Sequence, residues 1–268
     1  MGAVVGLGIA GYVYAHIIEP EWLRLSTYTL RLSRLPPEFD GYRVAHLTDI
    51  HLDPWIRDEY LDKVALRVNQ AAPDLVVVTG DFVRDHPRMY AARLERFLRQ
   101  LSPPDGLLGA MGNHDYWREP AVVRASLRIG GLHVVRNSVW STSRGQAQLW
   151  VAGVDSVRES HDRLDDVLRL LPPEGAALFL CHEPDFAVAA AVTQRFDLQL
   201  SGHAHGGQVR LPGLGPMTLP RFGRRYPDGL YRVGGMWLYA GRGVGMGSPY
   251  LRFNCRPEIA IFTLLSRP

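Results

Sequence analysis

The chain has 268 residues, 46% of them hydrophobic, and a formal net charge of +3 from 30 basic and 27 acidic side chains. That apolar content supports one sizeable core and excludes an intrinsically disordered chain. The charge is too evenly balanced for a nucleic-acid-binding protein, and two cysteines, Cys181 and Cys255, exclude a disulfide framework.

Residues 1–18 carry no formal side-chain charge. As a helix they would span about 27 Å, just short of a hydrocarbon core. They predict an N-terminal membrane anchor; a cleaved leader and a merely apolar segment are the alternatives, and no basic region precedes them. Arg24, Arg31 and Arg34 follow with no basic residue upstream, which puts the rest of the chain on the cytoplasmic side. Residues 19–40, punctuated by Pro36-Pro37, read as a connector, and residues 41–268 as the folded domain.

The domain opens on a predicted strand over 42–47. A helix over 60–72 follows, with Leu61, Val64, Ala65 and Val68 on one face. Strands over 75–79 and 107–111 and helices over 90–101 and 121–129 continue the rhythm of an α/β protein with a partly parallel sheet. The second half is richer in short strands, over 132–135, 149–154, 177–181, 198–201, 230–233, 236–240 and 258–265. A helix over 164–171 is stopped by Pro172-Pro173. Two sheets packed face to face with helices outside account for this count.

Five apolar runs end in polar blocks: Asp49-Ile50-His51, Gly80-Asp81, Gly112-Asn113-His114-Asp115, His182 and Gly202-His203-Ala204-His205. In open α/β sheets functional groups gather beyond the carboxyl ends of the strands. The runs can therefore deliver Asp49, His51, Asp81, Asn113, His182, His203 and His205 to one place. Two carboxylates, one amide and four imidazoles suit Mn, Fe or Zn better than Mg or Ca. Seven ligands are too many for one tetrahedral ion and suit two ions that share a carboxylate, Asp81 being the natural bridge. Two ions about 3.5–4 Å apart would convert a bridging water to hydroxide for in-line attack on phosphorus. His114 and Arg242 would meet charge on the phosphoryl oxygens, and Asp115 can hold His114 in one tautomer. Each block alone is a weak signal, since Asp-x-His is common by chance and Gly-Asp after a strand is usually a turn. Their joint occurrence in order points to a metal site.

In this order the blocks resemble the five motifs of the calcineurin-like metallophosphoesterase superfamily. The resemblance implies a four-layer αββα sandwich of two mixed sheets flanked by helices. It implies one metal on Asp49, His51, Asp81 and His205, and another on Asp81, Asn113, His182 and His203. His114 would protonate the leaving oxygen or stabilise the transition state, with Asp115 orienting it. Three further stretches are similar to a membrane-associated branch of small bacterial phosphodiesterases, itself similar to the UDP-2,3-diacylglucosamine pyrophosphatases of lipid A synthesis. They are Gly202 to Pro212, Gly241-Arg242-Gly243-Val244-Gly245 and Asn254-Cys255-Arg256-Pro257-Glu258.

That branch implies hydrolysis of a phosphodiester or pyrophosphate bond in a lipid-linked substrate such as UDP-2,3-diacylglucosamine. It implies two divalent ions, with Mn favoured and Fe or Zn compatible. It also implies work at a membrane surface, the cytoplasmic face of a bacterial inner membrane, with an exported form as the alternative. No nucleic acid and no obligate protein partner are expected. A soluble diester such as a cyclic nucleotide is the competing substrate. A non-catalytic metal-binding scaffold is the remote alternative, against which Asn113, His114 and Asp115 speak. Outside the blocks, Trp55 and Trp117 read as cleft walls or half-buried loop anchors, and Asp53 and Asp85 as outer support or solvated loop residues. The stretch 216–226 mixes Met217, Leu219, Phe222 and Tyr226 with Arg221, Arg224 and Arg225, and reads as a cleft border or a plain hairpin.

Overall fold

The computed structural model describes residues 2–267, with side chains from residue 8 onward. Fourteen strands follow in order: β1 Arg24–Arg31, β2 Tyr42–Leu47, β3 Leu75–Thr79, β4 Leu107–Ala110, β5 Leu132–Val134, β6 Ser138–Arg144, β7 Ala147–Gly153, β8 Ala177–Leu180, β9 Leu198–Ser201, β10 Arg210–Leu211, β11 Gly215–Pro216, β12 Gly229–Val233, β13 Met236–Ala240 and β14 Glu258–Leu265. The α-helices are α1 Gly2–Val13, α2 Asp58–Gln70, α3 Pro87–Arg99, α4 His114–Trp117, α5 Pro120–Ile129, α6 Leu164–Leu170 and α7 Ala187–Val192.

One six-stranded sheet has the order β1-β14-β2-β3-β4-β5, and the other has β12-β13-β9-β8-β7-β6. In the first, β2 to β5 are mutually parallel and β14 is antiparallel to β2. In the second, β13, β9, β8 and β7 are parallel, and β12 and β6 run against them at the edges. Successive side chains on a strand alternate faces. Leu75 and Val77 therefore join Leu178, Leu180, Leu198 and Leu200 between the sheets. Val76 and Val78 pack outward under Leu61, Val64, Leu94 and Leu127. Ala177 and Phe179 pack outward under Val167 and Ala190. The result is the expected four-layer αββα sandwich, and strands buried on both faces explain the unbroken apolar runs.

Four strands were not foreseen, two of them the two-residue β10 and β11 that pair only with each other. The stretch read as a connector carries β1, an edge strand whose eight residues pair in parallel with β14. β6 is half-exposed along its whole length and offers no apolar face to read.

The N-terminal anchor on the cytoplasmic face of a bacterial inner membrane is corrected. Among the described residues no helix is long and apolar enough to cross a membrane. The regular helix is only the 12-residue α1, about 18 Å at 1.5 Å per residue against a core of about 30 Å. Its continuation turns inward. Tyr14–Ile18 forms one π-helical turn, Ala15, Glu19 and Pro20 are buried, and the Ala15 carbonyl accepts the Arg252 N–H at 2.9 Å.

Candidate metal centre

The polar blocks leave the carboxyl ends of β2, β3, β4, β8 and β9 at one edge of the sandwich. The backbone keeps these loops in register beyond the strands: Asp49 N–H donates to the Gly80 carbonyl at 3.0 Å and His51 N–H to that of Asp81 at 2.9 Å. Asp49, His51, Asp81, His203 and His205 all have positive φ, between 47° and 68°. For residues with a Cβ this conformation costs roughly 1–3 kcal/mol each and gathers at functional sites. Two glycines let the loops approach. A Cβ on Gly112 would stand 2.2 Å from Asp81 Oδ1, and one on Gly202 would stand 1.9 Å from Thr48 Oγ1.

Three clusters of ligand-type atoms result: Asp49, His51 and His205; Asp81, His182 and His203; and His51, Asp81 and His114. Within each, the candidate atoms lie within 4.8 Å of one another. His51 Nε2 and His205 Nε2 face each other at 3.1 Å, and His205 Nε2 is 3.2 Å from Asp49 Oδ1. Asp81 lies between the halves, its Oδ2 being 3.5 Å from His51 Nε2 and 3.2 Å from His182 Nε2. Its Oδ1 accepts the His114 N–H at 2.9 Å.

The residues fit a cation pair on observations independent of any family. His182 Nδ1 pairs with the Thr79 carbonyl at 2.7 Å, and His203 Nε2 with that of Arg221 at 2.8 Å. Each bond fixes the tautomer and leaves the other ring nitrogen free to ligate. Asn113 Oδ1 and His182 Nε2 are buried without a hydrogen-bond partner. Such an atom costs about 1–3 kcal/mol, and folded proteins keep few of them. Burial alone would raise Asp49 and Asp81, but the imidazoles around them hold both below the ordinary carboxylate range. Burial lowers His51 and His203. Burial would lower His182 too, yet Asp81 and Asp49 outweigh it and draw its pKa up. Ionised Asp49 and Asp81 beside neutral His51 and His203 are the forms in which these groups can ligate a cation.

His114 stands at the mouth, its ring 4.7 Å from that of His51 and 3.8 Å from that of Trp117. Asp115 does not orient it. Both Asp115 oxygens are taken by backbone N–H donors, Oδ2 from Asp81 at 2.9 Å and Gly112 at 2.8 Å, and Oδ1 from Phe82 at 2.9 Å. Asp115 therefore ties the β4 loop to the β3 loop. Burial and the charge of Asp81 push its carboxyl up to about 7, against those donors.

Arg242 is also corrected. Its Nε and Nη2 bond Asp228 Oδ2 at 2.9 and 2.8 Å, and it does not line the cleft. The arginines that do are Arg84 and Arg158. Arg84 covers the Tyr250 ring at 4.6 Å and has a buried Nη1 with no partner. Arg158 lies on a loop held by the buried carboxylate of Glu183, which accepts its N–H at 3.0 Å and that of Val157 at 3.1 Å. Arg84 stands three residues past Asp81, a closeness that could have signalled it. Arg158 has no motif of its own, only a loop that meets the neighbour of His182.

Of the remaining residues, Trp117 lines the cleft, and Trp55 stacks on Tyr250 at 5.2 Å. Asp53 caps its own loop through the N–H groups of Trp55 and Ile56. Met217, Leu219 and Pro220 line the cleft as an apolar wall. His46 is a core residue bonded to Thr79 Oγ1 at 2.7 Å, its pKa lowered to about 3 by burial.

A family model described as calcineurin-like phosphoesterase matches residues 42–207. The chain is 36% identical over 260 residues to an uncharacterized metallophosphoesterase, YkuE, of Bacillus subtilis (strain 168), covering 96% of this chain and 90% of that one. It is 28% identical to the phosphodiesterase YaeI of Escherichia coli (strain K12), covering 96% and 93%. It is 25% identical to the UDP-2,3-diacylglucosamine pyrophosphatase LpxG of Chlamydia muridarum (strain MoPn / Nigg), covering 99% and 96%. The chain belongs to the calcineurin-like phosphoesterase family and is a metal-dependent phosphoesterase.

Proposed function

We propose that this phosphoesterase hydrolyses the phosphodiester or diphosphate bond of a lipid-linked substrate such as UDP-2,3-diacylglucosamine, with Mn as its native metal. The observation that carries this reading is the cleft at the metal centre. It holds about 570 Å³ and sets the ligand residues and two arginines against an apolar wall of Met217, Leu219, Pro220 and Val209. A compact soluble phosphate ester needs no such wall, whereas an amphiphile buries its apolar part there at about 25 cal/mol per Å². LpxG, similar over nearly the whole chain, is named for that substrate.

In this reading Asp49, His51, Asp81 and His205 hold one ion, and Asp81, Asn113, His182 and His203 hold the other. When bound, the pair supplies an activated water and a clamp on the phosphoryl oxygens. Asp81 spans the two halves and keeps its second oxygen on the His114 amide. His114 faces the substrate side. Burial lowers its pKa, which favours the neutral ring as a hydrogen-bond donor to the departing or equatorial oxygen. Arg84 and Arg158 face the same space and suit the second phosphoryl group of a diphosphate.

A soluble diester is the second reading, favoured by the name of the relative YaeI, a phosphodiesterase. The test is hydrolysis of UDP-2,3-diacylglucosamine in detergent micelles with Mn, followed by phosphorus NMR beside bis-p-nitrophenyl phosphate. Release of UMP and the lipid monophosphate, abolished in Asp81→Ala, is expected. Turnover of the artificial diester alone would remove the lipid assignment and keep the chemistry.

A further inference from the structure

Behind the Asp49–His51–His205 half of the centre lies a support that the chemistry above does not use. Arg252 is wholly buried, and among the described residues no carboxylate pairs with it. Its guanidinium donates to main-chain carbonyls only: Nη1 to Cys255 at 2.9 Å, and Nη2 to Arg242 at 2.8 Å, Gly243 at 3.1 Å and Gly245 at 2.5 Å. Its Nε has no partner, but both Nη groups are tied to carbonyls, and this fixes the backbone around them, because any loop movement strands further charged donors.

The loop that Arg252 grips is pressed against the ligands. Val244 N–H donates to the Thr48 carbonyl at 3.0 Å and Gly245 N–H to that of Asp49 at 2.8 Å. A Cβ on Gly243 would meet Asp49 Cβ at 2.8 Å and His205 Nδ1 at 3.2 Å. Arg252 thus holds the wall behind two ligands. This also accounts for the Gly241 to Gly245 stretch, whose glycines admit that wall.

Glu19 closes the arrangement from the other end of the chain. Its buried carboxylate accepts the N–H of Asn254 at 2.9 Å and the N–H of Cys255. Cys255 Sγ donates to the His205 carbonyl at 3.2 Å. The Ala15 carbonyl takes the N–H of Arg252 itself. The other half of the centre is held differently. His182 rests on the Thr79 carbonyl, His203 on that of Arg221 and Asp81 on the His114 amide, none of them in the 242–255 region.

We infer that Arg252 and Glu19 are positioning residues for the Asp49–His51–His205 half of the metal centre, so that the N-terminal segment forms part of the support of that half alone. The inference rests on the two-ion reading of the site. It is tested on the full chain, stripped with chelator, by Mn(II) titration with detection of free Mn(II) by electron paramagnetic resonance. Wild type is expected to take up two equivalents. Arg252→Lys is expected to weaken one equivalent about 10- to 100-fold, the usual scale for loss of a ligand's outer support, and to leave the other at wild-type affinity. Glu19→Gln, which keeps one acceptor oxygen, is expected to weaken the same equivalent by less. It also keeps the test alive if Arg252→Lys does not fold, with thermal unfolding as the check. Equal weakening of both equivalents, or of neither, would overturn the inference. A wild-type stoichiometry below two would instead remove the two-ion premise.

Discussion

The two ends of the sandwich treat their polar groups in opposite ways. At the carboxyl ends of β2, β3, β4, β8 and β9, five candidate ligands sit in left-handed backbone, and Asn113 Oδ1 and His182 Nε2 lack partners. At the other end of the same sheets carboxylates gather the donors around them, although Arg43 Nε and Trp237 Nε1 stay buried without a partner. Asp105 takes Tyr42 Oη at 2.7 Å, Thr142 Oγ1 at 3.1 Å and Arg144 Nη2 at 2.8 Å, which joins one sheet to the other. Asp74 takes the Arg43 N–H at 2.7 Å, and Asp197 the Ala177 N–H at 2.9 Å. Five strained residues at roughly 1–3 kcal/mol each amount to a sum comparable with the whole net stability of a domain. The ligand end is therefore held in place by the packed core and these carboxylate bonds, and bound metal would add to that hold. Stability and function occupy opposite poles of one fold.

The largest break in this contrast is at Asp81, which faces both halves of the centre. Asp81→Ala is expected to lose bound metal and to reduce turnover of bis-p-nitrophenyl phosphate by about a thousandfold or more, roughly 4 kcal/mol of barrier. Elemental analysis beside the assay would check it, and a variant that keeps two metals would remove Asp81 as the bridge. Next comes His114→Ala, expected to cut kcat by about 100- to 1000-fold with metal content near wild type. An emptied site would make His114 a ligand, as the His51–Asp81–His114 cluster permits.

A smaller effect sharpens the comparison at the cleft wall. Met217→Ser is expected to raise KM for the lipid-linked substrate about 5- to 10-fold through lost apolar contact, and to leave the artificial diester unchanged. Equal effects on both substrates would argue against an apolar subsite. The smallest change lies at the opposite pole. Burial would raise the Asp105 carboxyl, but Arg144, Tyr42 and Thr142 hold it below its ordinary value. A carboxyl with a depressed folded pKa adds stability above its unfolded value, near 4, and loses it as pH falls through the folded one. Asp105→Asn should cost about 1–2 kcal/mol at pH 7 and flatten the acid limb of the unfolding curve, with no change in metal affinity. A loss of activity from this variant would mean that the two poles are coupled.

The apolar runs and the candidate ligand blocks were determined by the sequence alone. A strand buried on both faces reads as an unbroken apolar run, and each block follows such a run directly, so Asp49, His51, Asp81, Asn113, His182, His203 and His205 could be assembled without coordinates. What each other polar side chain does was decided by the tertiary structure. Arg242 follows a glycine beside the site but turns to Asp228, while Arg84 and Arg158 turn into the cleft. Asp115 neighbours His114 in sequence and bonds the backbone of another loop. The apolar N-terminus reads as a span by composition, yet the turns after α1 are folded onto Arg252 and Asn254. Composition and period record how much of a segment is buried. The partner of a polar group is set by which distant loop packs against it, and that information is not local to the chain.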